Sequence, residues 1–409
     1  MNRYKEFIAV TREHYEFFSR ARFSVMMLLI LTIGLNLMIP GITLMDHTAS
    51  AASANHFLTA ITGGTTARPV LFSLGISPFM MGGVLFSVIE MSDNTIVSLM
   101  SEKEKGVLKN ILTFGIALIQ GHTRISQFRL EMANNPSEQE AWIMVLMLAT
   151  GSMIVSWLAN LNLLFGLGGT TLMILPGMVS TFPSMIAGKA PVFLENPFLF
   201  VLLILMTFAI LVMTLFFFLT EYRIRVQRIS LDEKFNNSYL AFKLLNAGSF
   251  PLMIAMTLFD LPVTLFPHTP LITDNLFSMD TPMGAIMYGL ILYFISLLFS
   301  FVFVRPKNIA KGLRNSGDYV LNIAPGEDTE KHIHKIVLTL ATLGSVYLTV
   351  LVVVPLFIGN LIGNATVSGL SQYFGFVFTF VLIIDRLIDD AEFIYWKFSY
   401  DLFGKKVTA

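Results

Sequence analysis

The sequence predicts an all-α protein that crosses a membrane ten times, and three observations predict it. The first is composition: 55% of the residues are hydrophobic and only 13% are charged, whereas a soluble domain carries about 25% charged residues. The second is run length. Apolar stretches long enough to cross about 30 Å of hydrocarbon as helices lie at 23–43, 69–91, 107–128, 140–162, 168–188, 197–220, 248–267, 282–304, 336–358 and 368–385. Backbone polar groups have no water partner in lipid, so such runs close their hydrogen bonds as helices. The third is charge segregation. With the N-terminus inside, all of the 27 Lys and Arg residues except Arg68, Arg124, Arg129 and Lys189 fall in cytosolic segments. The positive-inside rule therefore places both termini and the long loops in the cytosol. The net charge of zero hides this asymmetry.

Taken in order, residues 1–22 read as a charged, amphipathic cytosolic arm. The first span is too long for a signal-peptide core, and no small-residue cleavage site follows it. It stops at Ile39-Pro40-Gly41, as proline and glycine dictate. Residues 46–68 differ from their surroundings. They are rich in Ala, Ser, Thr and Gly, with scattered Phe57, Leu58 and Ile61. That stretch is too polar to face lipid and too apolar for a plain loop. It reads either as a short helix in a protein-lined aqueous cavity or as an external re-entrant loop. Pro69 opens the second span. External loops are mostly short, while the cytosolic loops 221–247 and 305–335 are long and basic. The spans divide into five at 23–190 and five at 191–392, followed by a cytosolic tail at 393–409. An odd number per half inverts one half relative to the other.

Chemistry is sparse. The chain has no Cys, hence no disulfide, thiolate metal site or Cys nucleophile. His332 and His334 form a His-x-His without a third ligand nearby, so no metal site is expected. Asp260 falls near one end of the seventh span, where interfacial hydration or a helix-end contact accounts for it. Asp385-Arg386 reads as a local ion pair at the end of the tenth. No catalytic constellation, cofactor motif, nucleotide-binding loop or nucleic-acid site is evident. A secondary transporter would also suit ten helices in two inverted halves. Its paired mid-span carboxylates or histidines are nearly absent here.

Several segments, in the same order across nearly the whole chain, resemble the SecY family of protein-translocation channels. Leu71–Gly83 (LFSLGISPFMMGG) resembles the start of the family's second helix, and Pro40-Gly41 the end of its first. Thr62-Gly63-Gly64 sits where the family's plug ends. Residues 221–229 (EYRIRVQRI) resemble the exit from the sixth helix. Asn246-Ala247-Gly248 with Pro251 resembles the start of the seventh. Arg305-Pro306-Lys307 with Ile309-Ala310, and Ala324-Pro325-Gly326-Glu327 with Thr329, resemble the eighth-to-ninth loop. There are departures. Ala324 replaces an Arg important for engaging the motor ATPase SecA. The turn Gly166-Leu167-Gly168-Gly169-Thr170 lacks the family's Asn, and the sixth-to-seventh loop is short and less basic at its tip. These departures resemble the accessory SecY of Gram-positive cocci.

The resemblance implies a SecY-like central pore between the two inverted halves. It places a dewetting seal at Ile76, Met80, Thr170, Ile174, Met253 and Phe378. A one-residue shift in the fifth helix would substitute Thr171 and Leu175, and ordinary helix-bundle packing is the competing reading of all these positions. It implies a plug at 52–66, including Phe57, Leu58, Ile61, Thr62, Gly63 and Gly64. It implies a lateral gate between the second and seventh helices at Gly82, Gly83, Gly248 and Pro251. Motor docking falls on Arg223, Arg225, Arg228, Arg305, Lys307, Ala324, Pro325 and Gly326. The implied partners are a SecA-type ATPase of the accessory kind, SecE-like small subunits or accessory secretion proteins, membrane lipid, and a serine-rich glycosylated preprotein. A housekeeping channel of broad substrate range is the alternative within the family.

Overall fold

A computed structural model of the chain describes residues 2–39, 70–91, 99–129, 137–187, 197–228, 238–265 and 275–397. Each predicted span coincides with a helix. These are α1 (Asn2–Gly34), α2 (Ser77–Met91), α3 (Glu102–Arg129), α4 (Glu138–Phe165), α5 (Leu175–Ala187, preceded by the 3₁₀ turn Thr171–Ile174), α6 (Pro197–Leu219) and α7 (Phe250–Leu265). Next come α8 (Pro282–Val304), an interposed α9 (Pro306–Ser316), α10 (Glu327–Ile362), the short α11 (Ala365–Ser368) and α12 (Leu370–Lys397). The bounds differ from expectation in three places. The arm and the first span are one helix, α1. The second span turns helical only at Ser77, because Gly75 takes a left-handed backbone (φ 56°) that ends the preceding turn. The last helix runs to Lys397, so Asp385 and Arg386 lie inside it.

The ends follow from local chemistry. Ser137 caps α4 in a reciprocal box with Glu140, which satisfies two orphan backbone donors. Thr281 caps α8 through the Gly284 amide, with Pro282 at the first helical position. Segments of α1, α4, α6, α8 and α10 are long and apolar enough to cross a membrane. The apolar helices at Ser77–Glu90, Thr171–Phe182 and Phe250–Phe259 are shorter.

The chain divides into two compact units. The first comprises residues 1–82, 110–188 and 379–409. Its core joins Ile39 and Leu74 to Ala117 and Ile125 of α3 and to Val145, Leu148 and Ala149 of α4. Gly151 lies so close to the Leu71 carbonyl that a Cβ there would collide with it. A polar knot sits beside this core. Asn162 of α4 donates to the Leu167 and Gly169 carbonyls at 2.9 and 2.6 Å and accepts from Ser24 of α1 at 2.8 Å. Asp390 of α12 accepts from the Gly168 amide at 2.8 Å. The left-handed backbone at Gly168 and Gly169 is what lets the turn fold back onto these partners. An Asn thus serves the glycine turn from the helix before it.

The second unit comprises residues 83–109 and 189–378. Here α7, α8 and α10 pack together, with Phe259 edge-on to Tyr288 at 5.6 Å. Gly289 of α8 brings Val353 of α10 close. The unit also holds strands, β1 (Glu221–Gln227), β2 (Tyr239–Lys243) and β3 (Tyr319–Val320). They form one antiparallel sheet in the order β2-β1-β3.

Candidate functional site

Both long basic loops build that sheet. Glu221–Gln227 alternates, with Ile224 and Val226 buried and Arg223 and Arg225 exposed, the period of a half-buried strand. Ile224, Val226, Phe242 and Val320 pack on Ile333, Val337 and Leu340 of α10, with Ile309 and Leu313 of α9 and Phe301 of α8 against them. The two loops are thus one platform with a single small core. Its outer face carries Glu221 opposite Lys243, Arg223 opposite Ala241, Arg225 opposite Tyr239 and Gln227 opposite Tyr319. Arg223 lies 4.6 Å over the Tyr239 ring and 3.4 Å from the Glu221 carboxylate. The Tyr319 hydroxyl donates to Gln227 at 2.6 Å.

The predicted motor-docking residues divide by environment. Arg223, Arg225 and Arg228 are exposed at or beside β1, and Lys307, Ala324 and Pro325 are exposed near α9 and α10. Gly326 starts α10 with φ 112°, a conformation other residues rarely adopt. The Ala324 carbonyl accepts from Thr329 at 2.8 Å. Arg305 is engaged internally. It occupies the left-handed corner (φ 47°) between α8 and α9, and its guanidinium holds Glu90 of α2 at 2.7 Å. Lys105 of α3 reaches the same carboxylate at 3.6 Å. Glu90 is a residue that the sequence reading passed over, since its partner lies 215 positions away. His334 stacks on Phe301 at 4.7 Å.

The predicted seal residues are interior in both units. In the first, Ile76 and Met80 are buried and share a face, the Met80 amide donating to the Ile76 carbonyl at 3.1 Å. Ile174 is buried and Thr170 half-buried, at the two ends of the 3₁₀ turn. On the shifted register Thr171 is buried and Leu175 half-buried. In the second unit, Met253 is buried in α7, and Phe378 is buried with its ring 5.7 Å from Phe218 of α6. The predicted gate glycines bring α2 close to α3. Gly82 leaves no room for a Cβ beside Thr113, and Gly83 sits against the Lys109 side chain. Gly248 turns left-handed (φ 59°) just before α7, and Pro251 is buried in its first turn. The plug residues Phe57, Leu58, Ile61, Thr62, Gly63 and Gly64 lie outside the described residues.

Comparison with known proteins adds the family. The SecY family model matches residues 70–386. The accessory Sec system protein translocase subunit SecY2 of Streptococcus oralis (strain Uo5) is 31% identical over 350 residues, covering 81% of this chain and 85% of the relative. The protein of the same description from Streptococcus parasanguinis is 34% identical over 306 residues, covering 70% of this chain and 72% of the relative. A solved structure described as "The structure of a protein conducting channel" superposes with a TM-score of 0.65 at 16% identity, covering 93% of both chains. That likeness is one of fold, and it carries the ten-span, two-half SecY architecture. The family match and the accessory relatives agree with the residue-level resemblance from Leu71 to Thr329: this chain belongs to the SecY family.

Proposed function

We propose that this chain is the channel subunit of an accessory Sec translocase, which passes unfolded preproteins across the plasma membrane. Its substrate class is large serine-rich, glycosylated surface proteins, and a dedicated SecA-type ATPase drives it. The observation that carries this reading is the match to accessory Sec translocase subunits over most of the chain. A conduit needs a polar path and an ion seal, with no bond-making step. Movement uphill needs an energy source, and this sequence has no phosphate-binding loop. The motor therefore binds from outside. With both termini cytosolic, the sheet platform faces the cytosol and presents Arg223 and Arg225 to it. SecE-like small subunits or accessory secretion proteins complete the assembly.

Within the channel, Ile76, Met80, Thr170, Ile174, Met253 and Phe378 form the seal, and residues 52–66 plug it from outside. The resemblance at 71–83 and 246–251, with Gly82, Gly83 and Gly248 permitting close and separable packing, supports α2 and α7 as the two sides of a lateral gate. Deleting 55–64 is expected to leave an inserted protein with raised ion conductance in bilayers. A disulfide between Cys residues placed on α2 and α7, in a chain with no Cys of its own, is expected to block export until reduced.

The deciding experiment is stimulation of motor ATPase activity by the purified chain in lipid nanodiscs. The accessory SecA-type ATPase is expected to respond and the housekeeping one to respond weakly, because Ala324 stands where the family carries a motor-engaging Arg. Ala324→Arg is expected to widen the choice of motor. Equal stimulation of both motors by the unmodified chain would support the housekeeping alternative, and stimulation of neither would refute motor-driven transport.

A further inference from the structure

The platform has an open edge. In the order β2-β1-β3, β2 is flanked on one side only. Which of its backbone groups face outward follows from the ladder. The Leu244 amide donates to the Thr220 carbonyl, and the Val226 amide donates to the Ser238 carbonyl. With Glu221 opposite Lys243 and Arg225 opposite Tyr239, the even-numbered residues of β2 bond to β1. The amides and carbonyls of Tyr239 and Ala241 then point away from the sheet. Ala241 and Tyr239 are exposed, and among the described residues nothing pairs with that edge. Edges of this kind are normally blunted by charged side chains, proline, a bulge or a covering element, and the only charge on this strand is Lys243 at its end. The five residues of β2 contain no proline, and their pairing with β1 runs without a bulge. The charge beside the edge is positive: Arg223 and Arg225 stand on the neighbouring strand, on the face that Tyr239 and Ala241 share.

We propose that the motor docks here by strand addition, pairing an extended acidic segment with the outward backbone groups of Tyr239 and Ala241 while its carboxylates meet Arg223 and Arg225. This rests on the reading that the platform receives the motor, and it specifies how. Main-chain pairing supplies affinity and the flanking side chains supply selectivity in such additions.

Proline separates the two halves of the claim. Ala241→Pro removes one outward donor and no bond to β1. The test titrates the dedicated SecA-type ATPase against the full chain in nanodiscs, alongside Ala241→Val and the double variant Arg223→Glu with Arg225→Glu. Loss of strand pairing is expected to weaken binding about 10-fold in Ala241→Pro, with Ala241→Val unchanged. Amide exchange at 239 and 241 in the unmodified chain is expected to slow when the motor binds, a readout that needs no variant to fold. If Ala241→Pro binds normally and exchange at 239 and 241 is unaffected while the double Glu variant binds weakly, strand addition is overturned and docking on the platform stands. If no variant weakens binding, both fall. A change in self-association in Ala241→Pro, with motor affinity intact, would assign the edge to a second copy instead and overturn the proposal.

Discussion

Helix α6 and strand β1 are consecutive in the chain and obey opposite rules. Along α6, Phe198, Phe200, Val201, Ile204, Leu205, Phe208 and Phe216 are all exposed, so apolar side chains point outward round the helix. Two residues past Leu219 the chain becomes β1, which buries Ile224 and Val226 and exposes Arg223 and Arg225 in alternation with them. The first pattern suits lipid, where outward apolar residues cost nothing. The second suits water, where they must be tucked under a polar face. The inward side of α6 carries two polar contacts: Thr214 shares a 2.6 Å hydrogen bond with Tyr347 of α10, and Thr207 donates to Tyr373 of α12 at 3.3 Å. The change of periodicity at Thr220 is the one expected where a chain passes from lipid to water.

Aspartate substitutions test this contrast most severely. Ile333→Asp places an unpaired carboxylate in the platform core, where residue 333 is wholly buried, and is expected to cost about 3–5 kcal/mol. Protease sensitivity should then appear in 221–245 and 305–335 while the spans stay intact. Leu205→Asp on the outward face of α6 is expected to cost about 3 kcal/mol as failed membrane insertion, read by glycosylation mapping of the flanking loops. Should Leu205→Asp insert normally, the lipid-facing reading of α6 would be wrong.

Charge reversal sharpens the platform side. Arg223→Glu with Arg225→Glu is expected to leave thermal stability within about 0.5 kcal/mol, since exposed charges contribute little. Affinity for the motor is expected to fall about 10-fold, with the loss largest at low salt and shrinking as salt screens the charges, in a binding titration at two ionic strengths. On the membrane side, Thr214→Val is expected to cost about 1 kcal/mol, because it leaves the Tyr347 hydroxyl without its partner. Unfolding in mild detergent reads it.

The smallest expected effect is a pH response at the start of α3. The Ser101 amide and then its hydroxyl hold the Glu104 carboxylate below its usual range. A carboxyl depressed in the fold adds stability above its unfolded pKa and loses it as pH falls through the folded value. The first turn of α3 is therefore expected to fray only on acidification below about 4.5. Ser101→Ala, which keeps the amide and deletes only the hydroxyl, should reduce that response without abolishing it, as amide exchange in 102–105 would report.

The spans were legible because apolar runs of twenty residues have one stable solution in lipid. The strand β1 was also there to be read, since Ile224 and Val226 alternate with Arg223 and Arg225. Its basic residues drew the reading to charge and away from periodicity. Strand β3 and the Glu90–Arg305 pair were not legible. A two-residue strand has no pattern of its own, and pairings across 92 or 215 positions arise only when the fold brings distant segments together. Arg305 shows the consequence: the resemblance named it for motor docking, and the structure holds its half-buried guanidinium against Glu90. The predicted seal positions, Thr170 apart, are apolar residues among apolar neighbours, so composition could not distinguish Met80 or Met253 from core packing, and only the family resemblance singled them out.

Reconstituted transport tests the central claim most directly. The chain, its small subunits and the dedicated ATPase are placed in proteoliposomes with a serine-rich preprotein outside, and protease protection of the preprotein is followed with and without ATP. ATP-dependent protection, lost when α2 and α7 are cross-linked, is the predicted result. No protected preprotein, in vesicles where the same chain carries a small solute down an ion gradient, would contradict it.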